Sequence, residues 1–308
     1  MKSYFIIILA LFSISINAQE DTYTSQDIAI NKHIDGTLLL PNAINKPNLA
    51  IIIAGSGPTD RNGNQNFSRS NNLKKLAIGL TNNAIASFRY DKRIVKQIRQ
   101  NNVSKDIMFD DFVTDAISVI DYFKKQNKYN KIYIVGHSQG SLVGMLAAKD
   151  KVDGFISLAG AGQSIDNVII EQVEQTAPQF TEDTKRIFKI LKDGKTTTDY
   201  PVALSSIFNI EIQKFMMNWM QYNPTEILST LEIPSLIING TKDLQVSEAE
   251  AKLLKESSEK AELKIIKNMN HVLVTIEGDN LENSKSYNET YRPLATELVD
   301  SIVSFIKK

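Results

Sequence analysis

The 308-residue sequence contains no cysteine, which excludes disulfide bonds, thiolate nucleophiles, cysteine-ligated metal sites and lipid attachment through cysteine. It also lacks a charge excess, because 35 lysines and arginines balance 35 aspartates and glutamates. Without a basic surface, nucleic acid is not an expected partner, and uncharged small molecules suit the neutral chain. Histidine is scarce as well, so any imidazole chemistry has only three candidate residues.

The first residues combine a positive charge with a short apolar run. Lys2 precedes a run from Tyr4 to Phe12, and the small residue Ala18 follows soon after. This order is typical of a secretory signal peptide, and the run is shorter than the ~20 residues needed to span a bilayer. We therefore predict a signal peptide over residues 1–18, an exported (periplasmic or secreted) protein, and no stable membrane anchor after cleavage. An uncleaved anchor is the alternative.

Short apolar runs alternate with helical patterns along the rest of the chain. Strands are predicted at 36–41, 49–54, 84–90, 131–135, 154–159, 235–238 and 263–266, and helices at 70–82, 107–125, 139–149, 247–257 and 292–306. This alternation predicts an α/β fold, in which a mostly parallel sheet is covered by helices on both faces.

One long interval, residues 161–230, breaks this alternation because it has helical patterns but no convincing strand. It holds apolar residues at helical spacing, namely Ile212, Phe215, Met216, Trp219 and Met220. We therefore divide the chain after the signal peptide into an α/β core, residues 19–160 and 231–308, and a helical insertion, residues 161–230.

A glycine-flanked serine follows the strand at 131–135. Gly136, Ser138 and Gly140 form a G-x-S-x-G pattern before a predicted helix, which is the strand–turn–helix context that the pattern requires. The turn is sharp, and it raises the serine hydroxyl above the end of the strand. Ser138 is therefore the predicted nucleophile.

A serine nucleophile needs a base to remove its proton. His137 lies inside the sharp turn and is expected to point away from the reaction centre. His33 precedes the first core strand and is expected to be a surface or edge residue. His271, in the loop after the last predicted strand, is therefore the predicted base.

The base in turn needs a carboxylate, expected between the serine and the histidine in a loop after a strand. Asp243 sits in the turn that follows strand 235–238 and is the predicted acid, with a role as a helix or turn cap for the segment that starts near Ser247 as the alternative. Glu248 and Glu250 are expected to be exposed residues in the first turn of that helix.

The oxyanion of a tetrahedral intermediate needs two N–H donors. The backbone N–H of Gln139, the residue after the nucleophile, is the first predicted donor. The second should come from loop 54–58, where small residues allow substrate to approach the backbone closely. We select the Ser56 N–H, with Gly57 in reserve, because Pro58 has no N–H.

These motifs resemble the α/β-hydrolase superfamily over residues 30–307. Segments 55–64, 89–93 and 270–273 are similar to a bacterial serine carboxylesterase group with a G-S-G-P-x-D-R loop, a Y-D-K-R segment and a helical lid. The resemblance implies hydrolysis of small carboxylic esters through an acyl-enzyme, without a metal or a cofactor. Asn62 and Ile94 depart from the group, which usually has aspartate and glycine at these positions.

The resemblance also places the insertion at the lid position. Gly57, Phe215, Met216, Trp219 and Met220 are then candidate substrate-binding residues, and packing against the core is the alternative role of the four in the insertion. Charged residues of the two loops either form a network that braces the oxyanion loop or are solvated surface charges; they are Asp60, Arg61, Asp91 and Arg93.

The triad alone does not fix the reaction. A peptidase or an acyltransferase could use the same residues, because the fold supports many chemistries. A binding protein could retain the fold without catalysis, although an intact serine, aspartate and histidine set argues against it. The sequence does not indicate an oligomeric state.

Overall fold

The computed structural model describes residues 22–42 and 44–308, so the predicted signal peptide lies outside the described residues. Within them, eight strands form one sheet, in the order β1-β2-β4-β3-β5-β6-β7-β8. β2 pairs antiparallel with β1 and with β4, and the pairs from β4 to β8 are parallel. The strands are β1 (Tyr23–Ala29), β2 (Asp35–Pro41), β3 (Leu49–Ile53), β4 (Ala86–Tyr90), β5 (Ile132–His137), β6 (Gly154–Leu158), β7 (Ser235–Gly240) and β8 (Ala261–Ile266).

Twelve α-helices lie within the described residues: α1 (Asn72–Asn82), α2 (Arg93–Arg99), α3 (Phe109–Gln126), α4 (Gln139–Ala148), α5 (Ile165–Thr176), α6 (Thr181–Lys192), α7 (Ser205–Phe208), α8 (Ile210–Trp219), α9 (Pro224–Ser229), α10 (Glu248–Glu256), α11 (Asn280–Ser286) and α12 (Thr296–Ile306). Two short 3-10 helices, Pro178–Phe180 and Val202–Leu204, lie in the insertion. In residues 22–42 and 44–308, none of the helices combines the length and the apolar character needed to cross a bilayer.

The sheet is covered on both faces, as the alternating pattern predicts. One core cluster joins the sheet to α3, α4 and α10, and a second joins its other face to α1 and α12. Along β3, Leu49, Ile51 and Ile53 pack in the first cluster, while Ala50 and Ile52 pack in the second. Because successive side chains of a strand point to opposite faces and both faces of β3 are buried, the strand is continuously apolar.

Three elements were not predicted from the sequence: β1, α2 and α11. β1 is an edge strand in which residues 24–27 are exposed, so it carries no apolar alternation. α2 and α11 have only seven residues each, which is too short for a helical period to be recognised. The remaining predicted elements are present, and their ends differ by a few residues, the usual uncertainty of terminal turns.

The insertion forms a helical layer of its own. Helices α5 to α9 occupy the interval between β6 and β7, and the structure has no strand there. Their buried residues, among them Phe188, Leu191, Phe208 and Met216, form a separate apolar cluster. At its far end α8 also packs on α3, where the Trp219 ring stacks on Phe109 with a centroid distance of 5.6 Å.

Candidate active site

The predicted nucleophile lies at the sharp turn between β5 and α4. Ser138 has φ 54° and ψ −121°, a strained conformation that costs a non-glycine residue about 1–3 kcal/mol. Its N–H donates to the Leu158 carbonyl of β6 at 2.9 Å. A Cβ on Gly136 would lie 2.2 Å from the Gly140 carbonyl oxygen, and one on Gly140 would lie 2.4 Å from the Ile53 carbonyl oxygen. Both glycines are therefore required for close backbone approach.

The structure brings Asp243 and His271 into contact. Asp243 Oδ2 lies 2.8 Å from His271 Nδ1, and the aspartate side chain is fully buried. The other carboxylate oxygen accepts the backbone N–H groups of Gln245 at 2.8 Å and Val246 at 2.9 Å. One carboxylate thus contacts the imidazole and also caps the turn that precedes α10, whose N-cap is Ser247. Since a carboxylate can only accept, the proton of the neutral ring is on Nδ1, which leaves Nε2 as the basic nitrogen.

Ser138 and His271 line the same cavity, which we call the histidine cavity. It has a volume of 480 Å³ and also contacts His137, Gly55, Ser56 and the loop that follows. Within the described residues the Ser138 hydroxyl and the His271 ring share the cavity without a hydrogen bond. Catalytic hydrogen bonds are often long in the absence of substrate and shorten when it binds.

The expectation that His137 points away from the reaction centre is wrong. Its ring centroid lies 5.0 Å from that of His271, and its Nε2 lies 2.8 Å from the His271 carbonyl oxygen. Because a carbonyl only accepts, His137 Nε2 is the donor. Burial is the main cause that lowers the pKa of His137 to about 4, so the His137 ring is neutral at pH 7. His137 therefore holds the backbone of the predicted base.

His33, the third histidine, does not line this cavity. It lies in the turn between β1 and β2 and is partly buried, and its N–H donates to Asn31 Oδ1 at 2.8 Å.

Both segments predicted to bind the oxyanion border the cavities around Ser138. Ser56 and Gln139 both line two further cavities, and Ser138 lines one of these as well. The Ser56 carbonyl accepts hydrogen bonds from Thr59 Oγ1 at 2.7 Å and Gln65 Nε2 at 3.1 Å, which fix the peptide between Ser56 and Gly57. The N–H of Gln139 is in the first turn of α4, where helix N–H groups have no partner within the helix.

Lys92 lies directly behind this loop, a position that the sequence did not indicate. Its ammonium donates to the Gly55 carbonyl at 3.0 Å and to Gln139 Oε1 at 2.7 Å, and it lies 4.2 Å from the Phe112 ring centroid. The residue is buried, and burial lowers the pKa of Lys92 to about 7. The Y-D-K-R segment was the only available signal, and it carries no information on burial.

Arg61 and Asp91 form a buried ion pair beside the oxyanion loop. The carboxylate accepts the Arg61 backbone N–H at 2.8 Å and its guanidinium at 2.9 Å, and it also accepts from Arg99 at 2.6 Å. Burial alone would raise the pKa of Asp91, but the bonds from the two arginines outweigh it and hold that pKa below its usual range. This pair braces the loop and is not a solvated surface charge.

Asp60 and Arg93 do not join that pair. Asp60 Oδ1 accepts the backbone N–H groups of Asn62 at 2.8 Å and Asn64 at 2.9 Å, within its own loop. Arg93 pairs with Asp111 and Asp115 of α3. The four charged residues therefore form separate clusters instead of one network.

Glu250 is buried, so its expected exposure is wrong. One carboxylate oxygen accepts the backbone N–H groups of Gly162 at 2.7 Å and Gln163 at 2.9 Å, and the other accepts the Gln163 side-chain amide at 2.8 Å. These residues begin the insertion. Glu250 thus fixes α10 to the point where the chain leaves the core. Glu248, two residues earlier, is partly exposed as expected.

Two further cavities meet at Ser56 and Gln139. The insertion cavity, 390 Å³, lies between Ser138 and α5, with walls formed by Ile165, Val168, Ile169, Val173, Ile207 and Met216. The lysine cavity, 480 Å³, contains Lys92 and Phe112. Met216 and Trp219 line both cavities, whereas Gly57 and Phe215 line the lysine cavity only. Met220 packs in the apolar cluster of the insertion and does not line either cavity.

In the part of the chain that the structure describes, no three histidine, aspartate or glutamate side chains are grouped so that they could hold a metal ion.

Comparison with known proteins identifies relatives of this chain. A family model described as serine aminopeptidase, S33, matches residues 68–279. Esterase EstD from Thermotoga maritima is 25% identical over 267 residues, which cover 84% of this chain and 62% of EstD. The chain therefore spans less than two thirds of the length of that curated relative.

Solved structures share the fold. Est1E from Butyrivibrio proteoclasticus has a TM-score of 0.56 at 16% identity, covering 92% of this chain and 99% of that one. The esterase Pf2001 from Pyrococcus furiosus has a TM-score of 0.55 at 12% identity, covering 100% of this chain and 98% of that one. At these identities the likeness concerns the fold alone, and it confirms the predicted α/β-hydrolase fold class.

Proposed function

We propose that this chain, which belongs to the serine aminopeptidase S33 family of α/β-hydrolases, hydrolyses carboxylic esters through an acyl-enzyme on Ser138. The observation that carries the proposal is the shared cavity of Ser138 and His271, with Asp243 bonded to the far nitrogen of the imidazole. The curated relative EstD is named an esterase, which favours ester over peptide bonds as the substrate.

The reaction would proceed in two acyl-transfer steps. His271 Nε2 takes the proton of Ser138 as its oxygen attacks the ester carbonyl carbon, and Asp243 stabilises the imidazolium. The N–H groups of Ser56 and Gln139 bind the oxyanion. His271 then gives the proton to the leaving alcohol as the ester C–O bond breaks. In the second step His271 takes a proton from water as the water oxygen attacks the acyl carbon. The bond between the acyl carbon and Ser138 Oγ then breaks, His271 returns the proton to Ser138, and the carboxylic acid leaves.

The cavities divide the substrate between them. Because His271 protonates the leaving oxygen, the alcohol part would occupy the histidine cavity, whose walls include the polar residues Gln65, Asn66, Ser68, Gln245 and Tyr287. The insertion cavity contacts Ser138 and Gln139 and has mainly apolar walls, so it suits the acyl chain. In this arrangement the insertion acts as a lid, with Met216 and Trp219 against the acyl chain.

The decisive variant is Ser138→Ala. We expect it to reduce kcat for p-nitrophenyl esters by at least about 10⁴-fold and to abolish labelling by a fluorophosphonate probe, because the nucleophile is gone. Ser141→Ala is the matched control. Ser141 is a buried serine of α4 whose hydroxyl is hydrogen-bonded to Ser157, and it does not line the histidine cavity. Retention of most of the ester turnover by Ser138→Ala would refute the assignment.

An aminopeptidase is the second candidate, because the family description names that activity. Wild-type turnover of p-nitrophenyl esters and of amino-acid anilides separates the two candidates. We expect higher kcat/KM on the esters, and a preference for anilides would favour the peptidase. A chain that turns over neither substrate and does not react with the probe would be a binding protein of the same fold.

We also propose that the protein is exported. The positive start, short apolar run and small residue at position 18 support a cleaved signal peptide over residues 1–18.

A further inference from the structure

The ammonium of Lys92 is buried beside the proposed oxyanion hole without a carboxylate partner among the described residues. Lys92 is 6% exposed. Its contacts are the Gly55 carbonyl, the Gln139 side-chain oxygen and the face of the Phe112 ring. A buried, unpaired ammonium is costly, so its retention at this place calls for a reason beyond packing.

The contact with Gly55 sets the direction of a neighbouring N–H. The Gly55 carbonyl and the Ser56 N–H belong to the same planar trans peptide, so they point in opposite directions. Lys92 holds the carbonyl at 3.0 Å, which turns the Ser56 N–H away from the lysine. A hydrogen bond to the carbonyl also polarises the peptide and makes its N–H a stronger donor.

The contact with Gln139 fixes the other donor residue. An ammonium has three donors and no acceptor, so the side-chain oxygen of Gln139 must face Lys92 at 2.7 Å. The main-chain N–H of the same residue is the second proposed oxyanion donor. One ammonium therefore holds both chain segments from which the two N–H groups come, although those segments follow different strands.

We propose that Lys92 is a positioning residue of the oxyanion hole, which orients the Ser56 and Gln139 donors and adds positive potential where negative charge develops. The inference rests on the proposed ester hydrolysis. Positive charge in a water-poor site stabilises an oxyanion more than it would in water. The competing explanation is that Lys92 only packs on Phe112.

The charged groups around Lys92 are otherwise paired. Asp91, its chain neighbour, is bonded to Arg61 and Arg99, and Arg93 is bonded to Asp111 and Asp115. Lys105 and Glu211, which line the same cavity, form an exposed pair at 3.4 Å. Beyond Gly55 lie His137, His271 and Asp243. Burial lowers the pKa of Lys92 to about 7, so the positive charge is lost as the pH rises through that value.

The test compares Lys92→Met with Lys96→Met. The control removes Lys96 of α2, whose ammonium pairs with Asp35 outside the cavities. We expect Lys92→Met to lower kcat by about 10- to 100-fold with little change in KM, and to weaken binding of a trifluoromethyl ketone by the same factor. An unchanged kcat, or an equal loss in both variants, overturns the proposal.

The pH profile of kcat gives a readout that a packing role would not move. In the wild type we expect kcat to fall as the pH rises through about 7, and Lys92→Met to lack this fall. Gln139→Glu places a carboxylate beside the ammonium and should move the fall upward by about one pH unit or more. This second variant keeps the test valid should Lys92→Met fold poorly. If kcat of Gln139→Glu falls at the same pH as kcat of the wild type, the proposal is overturned.

The two proposals fail in different ways. A wild-type protein that turns over no ester and resists the fluorophosphonate probe rejects ester hydrolysis itself. Wild-type turnover together with an undiminished kcat in folded Lys92→Met rejects only the role of Lys92.

Discussion

Arg89 is a buried cation held by a neutral partner. It is 5% exposed, and its Nε donates to Asn62 Oδ1 at 3.2 Å, while its Nη1 has no hydrogen-bond partner. Burial and the nearby charge of Arg61 lower the pKa of Arg89. The carboxylesterase group that the sequence resembles usually has aspartate in place of Asn62, which would supply the missing negative charge.

Asn62→Asp should therefore stabilise the fold. A carboxylate accepts more strongly than an amide, and we expect the free energy of unfolding to rise by about 1 kcal/mol. Urea denaturation at pH 7 measures the change. Asn66→Asp, which adds the same charge at an exposed position of the same loop, should leave stability unchanged. A loss of stability in Asn62→Asp would show that Arg89 does not need a countercharge.

At the residue scale, the sequence predicted the groups that a known pattern marks and missed those defined by burial. Ser138, Asp243 and His271 follow strands in the expected order, and the structure places Asp243 against His271. The contacts of Lys92 and His137 could not be predicted, because each depends on a chain segment distant in sequence. For Glu250, the position in a first helical turn suggested exposure, while the packing of α10 on the start of the insertion buries it.

Among the elements, α10 anchors the insertion through a single carboxylate. Removal of the Glu250 side chain would leave the backbone N–H groups of Gly162 and Gln163 without acceptors in a largely buried position. Such unpaired groups each cost about 1–3 kcal/mol. The insertion would therefore be held less firmly to the core.

We expect Glu250→Ala to lower the free energy of unfolding by about 2–3 kcal/mol and to speed proteolytic cleavage in residues 161–230. Glu248→Ala, in the same helical turn but partly exposed, should change stability by less than about 0.5 kcal/mol. Chemical denaturation and limited trypsin digestion measure both variants. Equal effects of the two substitutions would contradict the anchoring role.

The burial of the strands explains why most of the sheet could be predicted from the sequence. Strands β3 to β7 are buried on both faces, and three of them, β3, β5 and β7, carry continuous apolar runs. β1 has no such run, since its position at the sheet edge exposes residues 24–27, and it is held by pairing with β2. Because hydrogen bonds between strands join backbone groups, they do not require particular side chains and cannot be recognised from the sequence.

For the whole molecule, stability should depend on pH through His137. Its pKa is lowered from 6.5 to about 4 in the folded protein. Between these values the unfolded chain binds more protons, so stability rises with pH; the contribution is complete above pH 6.5 and is lost as the pH falls to about 4. The shift corresponds to about 3 kcal/mol.

Urea denaturation at several values between pH 4 and pH 6.5 tests this dependence in the wild type and in His137→Gln. The variant lacks a titrating ring at this position, so we expect a shallower rise of the free energy of unfolding with pH. Parallel curves for the two proteins would assign the dependence to other groups.

The parts of the site come from widely separated stretches of chain: Gly55 after β3, Ser138 after β5, Asp243 after β7 and His271 after β8. No short fragment contains all of them, and none of the contacts can form until distant strands stand side by side. A chain should consequently react with a covalent probe of Ser138 only when it is fully folded. During refolding from denaturant, the fraction of labelled protein would therefore measure the fraction of fully folded chains, and collapsed intermediates would stay unlabelled.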